Sequence, residues 1–168
     1  MSDRSRKIFL ASTVIVPFVA YCVYYYAGVF KNAPYKFTEF KSFTIQYGQR
    51  DSMLNKYDSK TGDYQFLDSH DSLVKMHLRL SNDELLYLHR KAAELGFWDF
   101  PTDERGDTSK ENATVPRYVI AFNYQRKSKR VVYDGNFYYV DPRLKDANEQ
   151  FIKQIQKVLD DAEQRQRK

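Results

Sequence analysis

Hydrophobic side chains follow three patterns along this chain, and each pattern predicts a different kind of element. Residues 8–30 form one run without a charged side chain. From residue 37 onward, apolar and polar positions alternate in several short stretches, as in half-buried strands. Two later stretches repeat apolar residues every three or four positions, as on one face of a helix. Together these patterns predict an α+β protein with a separate N-terminal segment.

The uncharged run over residues 8–30 predicts a transmembrane helix. A helix of this length rises by about 34 Å, enough to cross a hydrocarbon core about 30 Å thick. Lys7 and Lys31 border the run, and residues 24–26 are tyrosines near one end, where amphipathic rings favour the membrane interface. We interpret the run as an uncleaved signal anchor that makes the protein a single-pass membrane protein.

Two other interpretations of the run stay open. A cleaved signal peptide needs small residues before the cut, and only the stretch Ala20, Tyr21, Cys22 comes close to that pattern. A lipoprotein signal ending at Cys22 needs a small residue before the cysteine, where this chain has Tyr21. Cys22 is the only cysteine, so no disulfide can form within the chain.

Basic residues are clustered before the run, at Arg4, Arg6 and Lys7, and are more widely spaced after it. This asymmetry predicts a cytoplasmic N-terminus and a domain that is periplasmic or otherwise extracytoplasmic. The predicted division of the chain is a short basic N-terminus at 1–7, the anchor at 8–30, a tether at 31–36, one α+β domain at 37–164, and a basic tail at 165–168.

Alternation of apolar and polar residues predicts the strands of the domain. The clearest case is residues 74–80, where Val74, Met76 and Leu78 share one face. Glycine and aspartate in residues 58–63 favour a turn, so the strands on either side should form a hairpin. The predicted strands cover residues 43–47, 53–57, 64–67, 74–80, 118–124 and 131–133, with a further extended stretch at 137–140.

Two helices are predicted from their first residues. Ser81 and Glu84 have the spacing of a capping box, and Gly96 follows the apolar stripe where a left-handed cap would end the helix. Asp141 before Pro142 predicts a second start, because Asp caps a helix and Pro suits its first position. The element order, roughly ββββ-α-ββ-α, favours an antiparallel sheet with two helices packed on one face.

The net charge of +5 does not indicate a nucleic-acid partner. Part of this charge flanks the uncharged run, and part lies in the basic tail, so the domain lacks the concentrated basic face that phosphate contacts require. Outside the run about 135 residues remain, which suits one domain of ordinary size. We expect this domain to be monomeric.

The sequence shows no catalytic, metal or cofactor motif. With one cysteine and six scattered glycines, it lacks the usual nucleophile elbow and phosphate-binding loop. The carboxylates of residues 99–107 are oxygen ligands of the kind that calcium takes, but their order does not match a calcium loop. The three histidines are not spaced as metal ligands; they are His70, His77 and His89.

Aromatic residues make up 16% of the chain, and most are expected in the core because strands favour Tyr and Phe. Some rings, however, fall beside the polar, aperiodic stretch 102–114, which we predict to be an exposed loop. Rigid rings beside a polar loop are typical of binding surfaces, although Trp98 would equally suit a plug at the end of the core. The candidate binding residues are Trp98, Phe100, Asp103, Glu104, Arg105, Asp107, Tyr138 and Tyr139.

Anchor and domain together predict a membrane-tethered, extracytoplasmic domain that binds a protein or another envelope component without catalysing a reaction. The alternatives are a domain that binds a small molecule or glycan and, third, an enzyme without a recognisable motif.

Overall fold

The computed structural model describes residues 3–31, 35–49, 52–105, 115–135 and 141–167. The chain divides into two compact units, Met1–Tyr35 and Lys36–Lys168. The first unit contains one helix, and the second contains a sheet and two further helices. The predicted α+β class is therefore confirmed.

Helix α1, Asp3–Lys31, covers the uncharged run of the sequence. Its described apolar side chains include Val14, Ile15 and Val16, which are all exposed. Over the described part of the chain, no helix was found with both the length and the apolar character needed to cross a membrane. The predicted span over residues 8–30 is thus not confirmed and stays a prediction.

The second unit is built around a sheet of seven strands. Burial alternates clearly along two of them, Ser52–Asp58 and Leu73–His77, and so fits the alternation in the sequence. The strands are β1, Phe40–Gln49; β2, Ser52–Asp58; β3, Asp63–Leu67; β4, Leu73–His77; β5, Asp103–Glu104; β6, Pro116–Tyr124; and β7, Ser128–Asp134. Their order across the sheet is β4-β3-β2-β1-β6-β7-β5.

One face of the sheet is apolar and buried. Ile45 lies in register with Tyr57 on β2 and with Ile120 on β6, and Ile120 lies in register with Val131 on β7. Each of these four side chains is at most 2% exposed. The predicted β2–β3 hairpin is confirmed, because these strands pair in register across residues 59–62.

The opposite face, which we call the open face, is polar. Gln46, Lys56, Gln65 and Lys75 lie in register across β1 to β4, each next in sequence to a residue that points to the other side. Both lysines and Gln46 are exposed to solvent. Across β1 to β4 this face therefore needs no cover, whereas Val119 and Val132, on the same side of β6 and β7, are only 8% and 9% exposed.

The two remaining helices begin at the predicted caps. Helix α2, Asn82–Glu94, starts after Ser81, whose hydroxyl accepts a hydrogen bond from the Glu84 amide while the Glu84 carboxylate accepts one from the Ser81 amide. Helix α3, Pro142–Gln166, is capped by Asp141, which accepts from the Arg143 amide. Both starts are confirmed, and α3 extends slightly beyond the predicted end.

Both helices contact the apolar face of β6. Phe122 and Tyr124 are two positions apart and so point to the same side of that strand. The Phe122 ring stacks on Phe151 of α3, with centroids 6.1 Å apart, and Tyr124 contacts His89 of α2. The helices also contact each other through an ion pair between Glu84 and Arg165.

Two features correct the sequence-based prediction. The sheet is mixed rather than antiparallel, because β5 pairs with β7 in parallel. The strand β5 also lies within residues 102–114, which were predicted to be an exposed loop, so that prediction was wrong at Asp103 and Glu104. A strand of two residues is too short to produce an alternating pattern, and it is held by pairing that the sequence does not reveal.

Phe151 is the side chain that best tests this packing, because it is fully buried and contacts both Phe97 and Phe122. We expect Phe151→Ala to lower the free energy of unfolding by about 3–5 kcal/mol, since truncation leaves a cavity between α3 and the sheet. Urea denaturation of residues 36–168 measures the change. Leu73→Ala, at a position 45% exposed, is the control and should cost under about 1 kcal/mol. Similar losses for both variants would contradict this placement of α3.

Candidate functional site

Trp98 lies in a cluster of rings at one end of the core. It belongs to a short 3-10 turn, Phe97–Asp99, which follows Gly96 in the left-handed conformation with φ of 76°. The Trp98 ring lies 5.3 Å from Phe122 and 5.4 Å from the His89 imidazole, measured between centroids. The side chain is only half-buried, so one part packs in the core and another remains accessible.

The same cluster holds His89 in a nearly buried position, 9% exposed. Its Nδ1 atom is 2.7 Å from the Tyr124 hydroxyl, and the Phe37 ring covers it from another side. Burial, followed by the nearby Arg90 charge, lowers the pKa of His89. The imidazole is therefore held neutral as a packing and hydrogen-bonding group of the core.

Two of the predicted binding residues are core residues instead. Phe100 is 5% exposed and Glu104 is fully buried, so neither can form part of an open contact surface. Phe100 packs edge-on against Phe97. Glu104 points to the apolar side of the sheet because it is the cross-strand partner of Tyr133.

Asp103 and Arg105, in contrast, are exposed and bind each other. Arg105 donates from Nε and from Nη2 to the two carboxylate oxygens of Asp103, at 2.8 and 2.5 Å. This pairing lowers the pKa of Asp103. Three other candidates, Asp107, Tyr138 and Tyr139, lie outside the described residues.

The buried Glu104 side chain meets Asn148 of α3, which is also fully buried. Asn148 Nδ2 donates to Glu104 Oε2 at 2.5 Å and to the Leu144 carbonyl oxygen at 2.9 Å. Burial raises the pKa of Glu104 to about 7, against the lowering effects of the Asn148 hydrogen bond and of the Lys129 charge. No local pattern in the sequence indicates this pair, because its members are 44 positions apart.

Lys129 extends this polar cluster toward the ring cluster. Its ammonium group donates to the Phe100 carbonyl oxygen. Burial lowers the pKa of Lys129, while the Asp99 and Glu104 charges raise it. The cluster thus connects the turn that carries Trp98 with the edge strand β5.

Tyrosines form a row across the sheet that ends at this cluster. Tyr47, Tyr118 and Tyr133 lie in register on β1, β6 and β7, followed by Glu104 on β5. The Tyr47 and Tyr118 rings stack with centroids 5.6 Å apart. Burial raises the pKa of both hydroxyls. The row places phenol groups along the buried side of the sheet rather than at its surface.

A cleft of about 480 Å³ opens near the β1–β2 end of the sheet, within the size range of small-ligand sites. A smaller cleft of about 240 Å³ lies on the open face beside Gln46 and Lys56. Glu104 lines neither cleft. The lining of the larger cleft includes Tyr47, Gln49, Ser52, Leu54, Asn55 and Asp71.

In the described part of the chain, no three His, Cys, Asp or Glu side chains lie together so that they could bind a metal ion. His70 and His77 are exposed and lie apart from the buried His89. The carboxylates of residues 99–105 point to different sides of the sheet, because Asp103 and Glu104 are adjacent on a strand.

Comparison with protein-family models gives no match, and comparisons with curated proteins and with solved structures give none either. Inference about function therefore starts from the residues of this chain alone.

Trp98 allows a test of whether its ring acts in the core or at the surface. We expect Trp98→Ala to lower the free energy of unfolding by about 3 kcal/mol, because the ring contacts Phe122 and His89. The double variant Asp103→Ser, Arg105→Ser removes an exposed pair instead and should cost less than about 1 kcal/mol. Chemical denaturation of both variants measures the difference. A change of only a few tenths for Trp98→Ala would instead make the ring a surface contact.

Proposed function

We propose that this protein is a membrane-tethered, non-enzymatic binding domain that lies outside the cytoplasm and takes a protein or another envelope component as its partner. The tether is α1, and the binding surface is the open face of the sheet together with the edge strand β5. The observation that carries the proposal is the exposure of apolar side chains around α1.

Consecutive positions on a helix point in directions about 100° apart, so three exposed apolar residues in a row cover most of its circumference. Val14, Ile15 and Val16 are 68%, 57% and 63% exposed. Exposed apolar side chains favour an apolar environment, and the uncharged run over residues 8–30 has the length for a bilayer. The basic cluster at residues 4–7 favours a cytoplasmic N-terminus.

The open face supports the binding part of the proposal. Gln46 on this face lies in register with Val119 of β6, which lies in register with Val132 of β7 and then with Asp103 of β5. The predicted contact residue Asp103 therefore lies on the same side of the sheet as Gln46 and Lys56. Polar groups of both signs spread along this side of the sheet suit a protein surface better than a single small molecule.

A second candidate function follows from the cleft of about 480 Å³. Its lining combines the Tyr47 ring with the amide of Gln49 and the carboxylate of Asp71. An aromatic ring with a few polar groups is the usual composition of a small-ligand site. This geometry favours a small polar molecule or a glycan as the ligand.

The tether is tested by placing charge in the middle of α1. The full-length protein should stay in the membrane pellet after an alkaline carbonate wash, whereas Ile15→Arg with Val16→Arg should move a large part of it to the supernatant. Each arginine at the centre of a span costs about 2.5–3.5 kcal/mol of insertion free energy. Gln46→Arg on the open face is the matched control and should stay in the pellet.

Release of the unmodified protein by the carbonate wash would contradict the tether. Its orientation is checked with protease added to intact spheroplasts, which should digest the domain if that domain lies outside the cytoplasm. Full protection would place the domain on the cytoplasmic side.

The binding surface is tested by charge reversal. Lys56→Glu with Lys75→Glu should reduce partner capture from detergent-solubilised membranes by at least about tenfold, because both side chains are exposed on the open face. Lys153→Glu with Lys157→Glu, at exposed positions of α3, makes the same charge change elsewhere. Quantitative mass spectrometry of the captured proteins measures the ratio.

Equal capture by the two double variants would reject the open face. The second candidate is then examined with Leu54→Trp, which fills the larger cleft, against Leu73→Trp at a similarly exposed position outside it. Loss of glycan-array or small-molecule binding in the first variant alone would favour the cleft.

A further inference from the structure

Glu104 and Asn148 each carry a buried oxygen atom that has no hydrogen-bond partner among the described residues. These atoms are Glu104 Oε1 and Asn148 Oδ1. The other polar atoms of the pair are used, because Asn148 Nδ2 donates to Glu104 Oε2 and to the Leu144 carbonyl oxygen. Both side chains are 0% exposed, so bulk water does not reach the two remaining oxygens.

If Glu104 is ionised, both remaining atoms are acceptors and neither can satisfy the other. A protonated carboxyl group has one donor in addition to its acceptors, and an amide next to a carboxylic acid can complete a reciprocal pair of hydrogen bonds. A single proton on Oε1 therefore accounts for both unpartnered atoms. It also removes the cost of a fully buried negative charge.

We infer that Glu104 is held as a neutral carboxylic acid that donates from Oε1 to Asn148 Oδ1, so that a proton-dependent latch joins strand β5 to helix α3. The inference concerns contacts within the chain and does not depend on the partner proposed above. It assigns a role to a buried group that the open face and the cleft do not use.

Among the described residues around Glu104, Lys129 is the charged group that opposes this state. Lys129 on β7 favours the carboxylate form of Glu104. Its ammonium group, however, donates to the Phe100 carbonyl oxygen and also interacts with the negative charge of Asp99. The cross-strand neighbour Tyr133 also lies on β7, and α3 contributes the uncharged Asn148. Burial is the dominant influence and raises the pKa of Glu104 from 4.5 to about 7.

The sign of the pH effect follows from this direction. In the folded protein, the Glu104 carboxyl group keeps its proton up to about pH 7. In the unfolded chain, the same group loses its proton near pH 4.5. The latch therefore contributes its full stability below about pH 4.5 and loses it as the pH rises through about 7. Strand β5 is the element that should yield, because it has two residues and lies at the edge of the sheet.

Glu104→Gln separates the latch from other titrations. The glutamine amide can donate to Asn148 Oδ1 and accept from Nδ2, so it imitates the protonated acid at every pH. Between about pH 5 and pH 8, we expect the unfolding equilibrium constant of the wild-type chain to rise on the order of 100-fold relative to this variant. The full-length protein in neutral detergent is used, and the contribution of His89 cancels because both chains contain it.

Two readouts are specific to the latch. The first is the carboxyl ¹³C signal of Glu104 in glutamate-labelled protein, which should titrate near neutral pH. The second is hydrogen exchange at the Val132 amide, which donates to the Thr102 carbonyl oxygen at 3.0 Å and so reports on the pairing of β5 with β7. Its exchange above neutral pH should accelerate more in the wild type than in Glu104→Gln.

Glu149→Gln removes the same charge from the next position of α3 and should keep the wild-type pH profile. Parallel unfolding profiles for the wild type and Glu104→Gln would overturn the inference. So would a Glu104 carboxyl signal that titrates near 4.5, and this measurement on the wild-type chain decides the matter even if the variant does not fold.

Discussion

The packing of the sheet against its two helices depends on one ring, Phe122, near the end of β6. It is fully buried, and its centroid lies 4.9 Å from that of Phe43 on the neighbouring strand. From the side of the helices it meets Phe97 at 5.7 Å, Trp98 at 5.3 Å and Phe151 at 6.1 Å. Strand, turn and helix thus converge on a single aromatic side chain, and the apolar face of the sheet is closed around it.

Local signals predicted much of this fold, because caps and alternation act over a few residues. Ser81 and Asp141 begin helices as expected, and the β2–β3 hairpin forms across its turn. Long-range pairing was beyond these signals. The central neighbours β1 and β6 meet through residues such as Ser42 and Asn123, which are 81 positions apart. The parallel pairing of β5 with β7 depends on the path of the chain after α2 and not on any local pattern.

The burial of two site candidates, Phe100 and Glu104, could not be predicted for the same reason. A charged residue in a polar stretch is normally solvated, so Glu104 looked like part of an exposed loop. Its burial depends on Asn148, which the sequence places far away on another helix. Phe100 and Trp98 were recognised as rings at the end of an element, but the contacts that hold the Trp98 ring come from β6 and α2. Asp103 and Arg105, whose pairing is local, are the candidates that stayed exposed.

Many of the aromatic side chains of the chain are buried in this core. Their burial limits the groups that the described surface offers for recognition. In the described part of residues 36–168, the large apolar side chains that stay exposed are Leu54, Leu73 and Tyr87, at 38–45%. Along α1, by contrast, such side chains are 50–82% exposed. In the described residues, the surface of the second unit therefore offers mainly polar and charged groups, whereas α1 exposes apolar side chains.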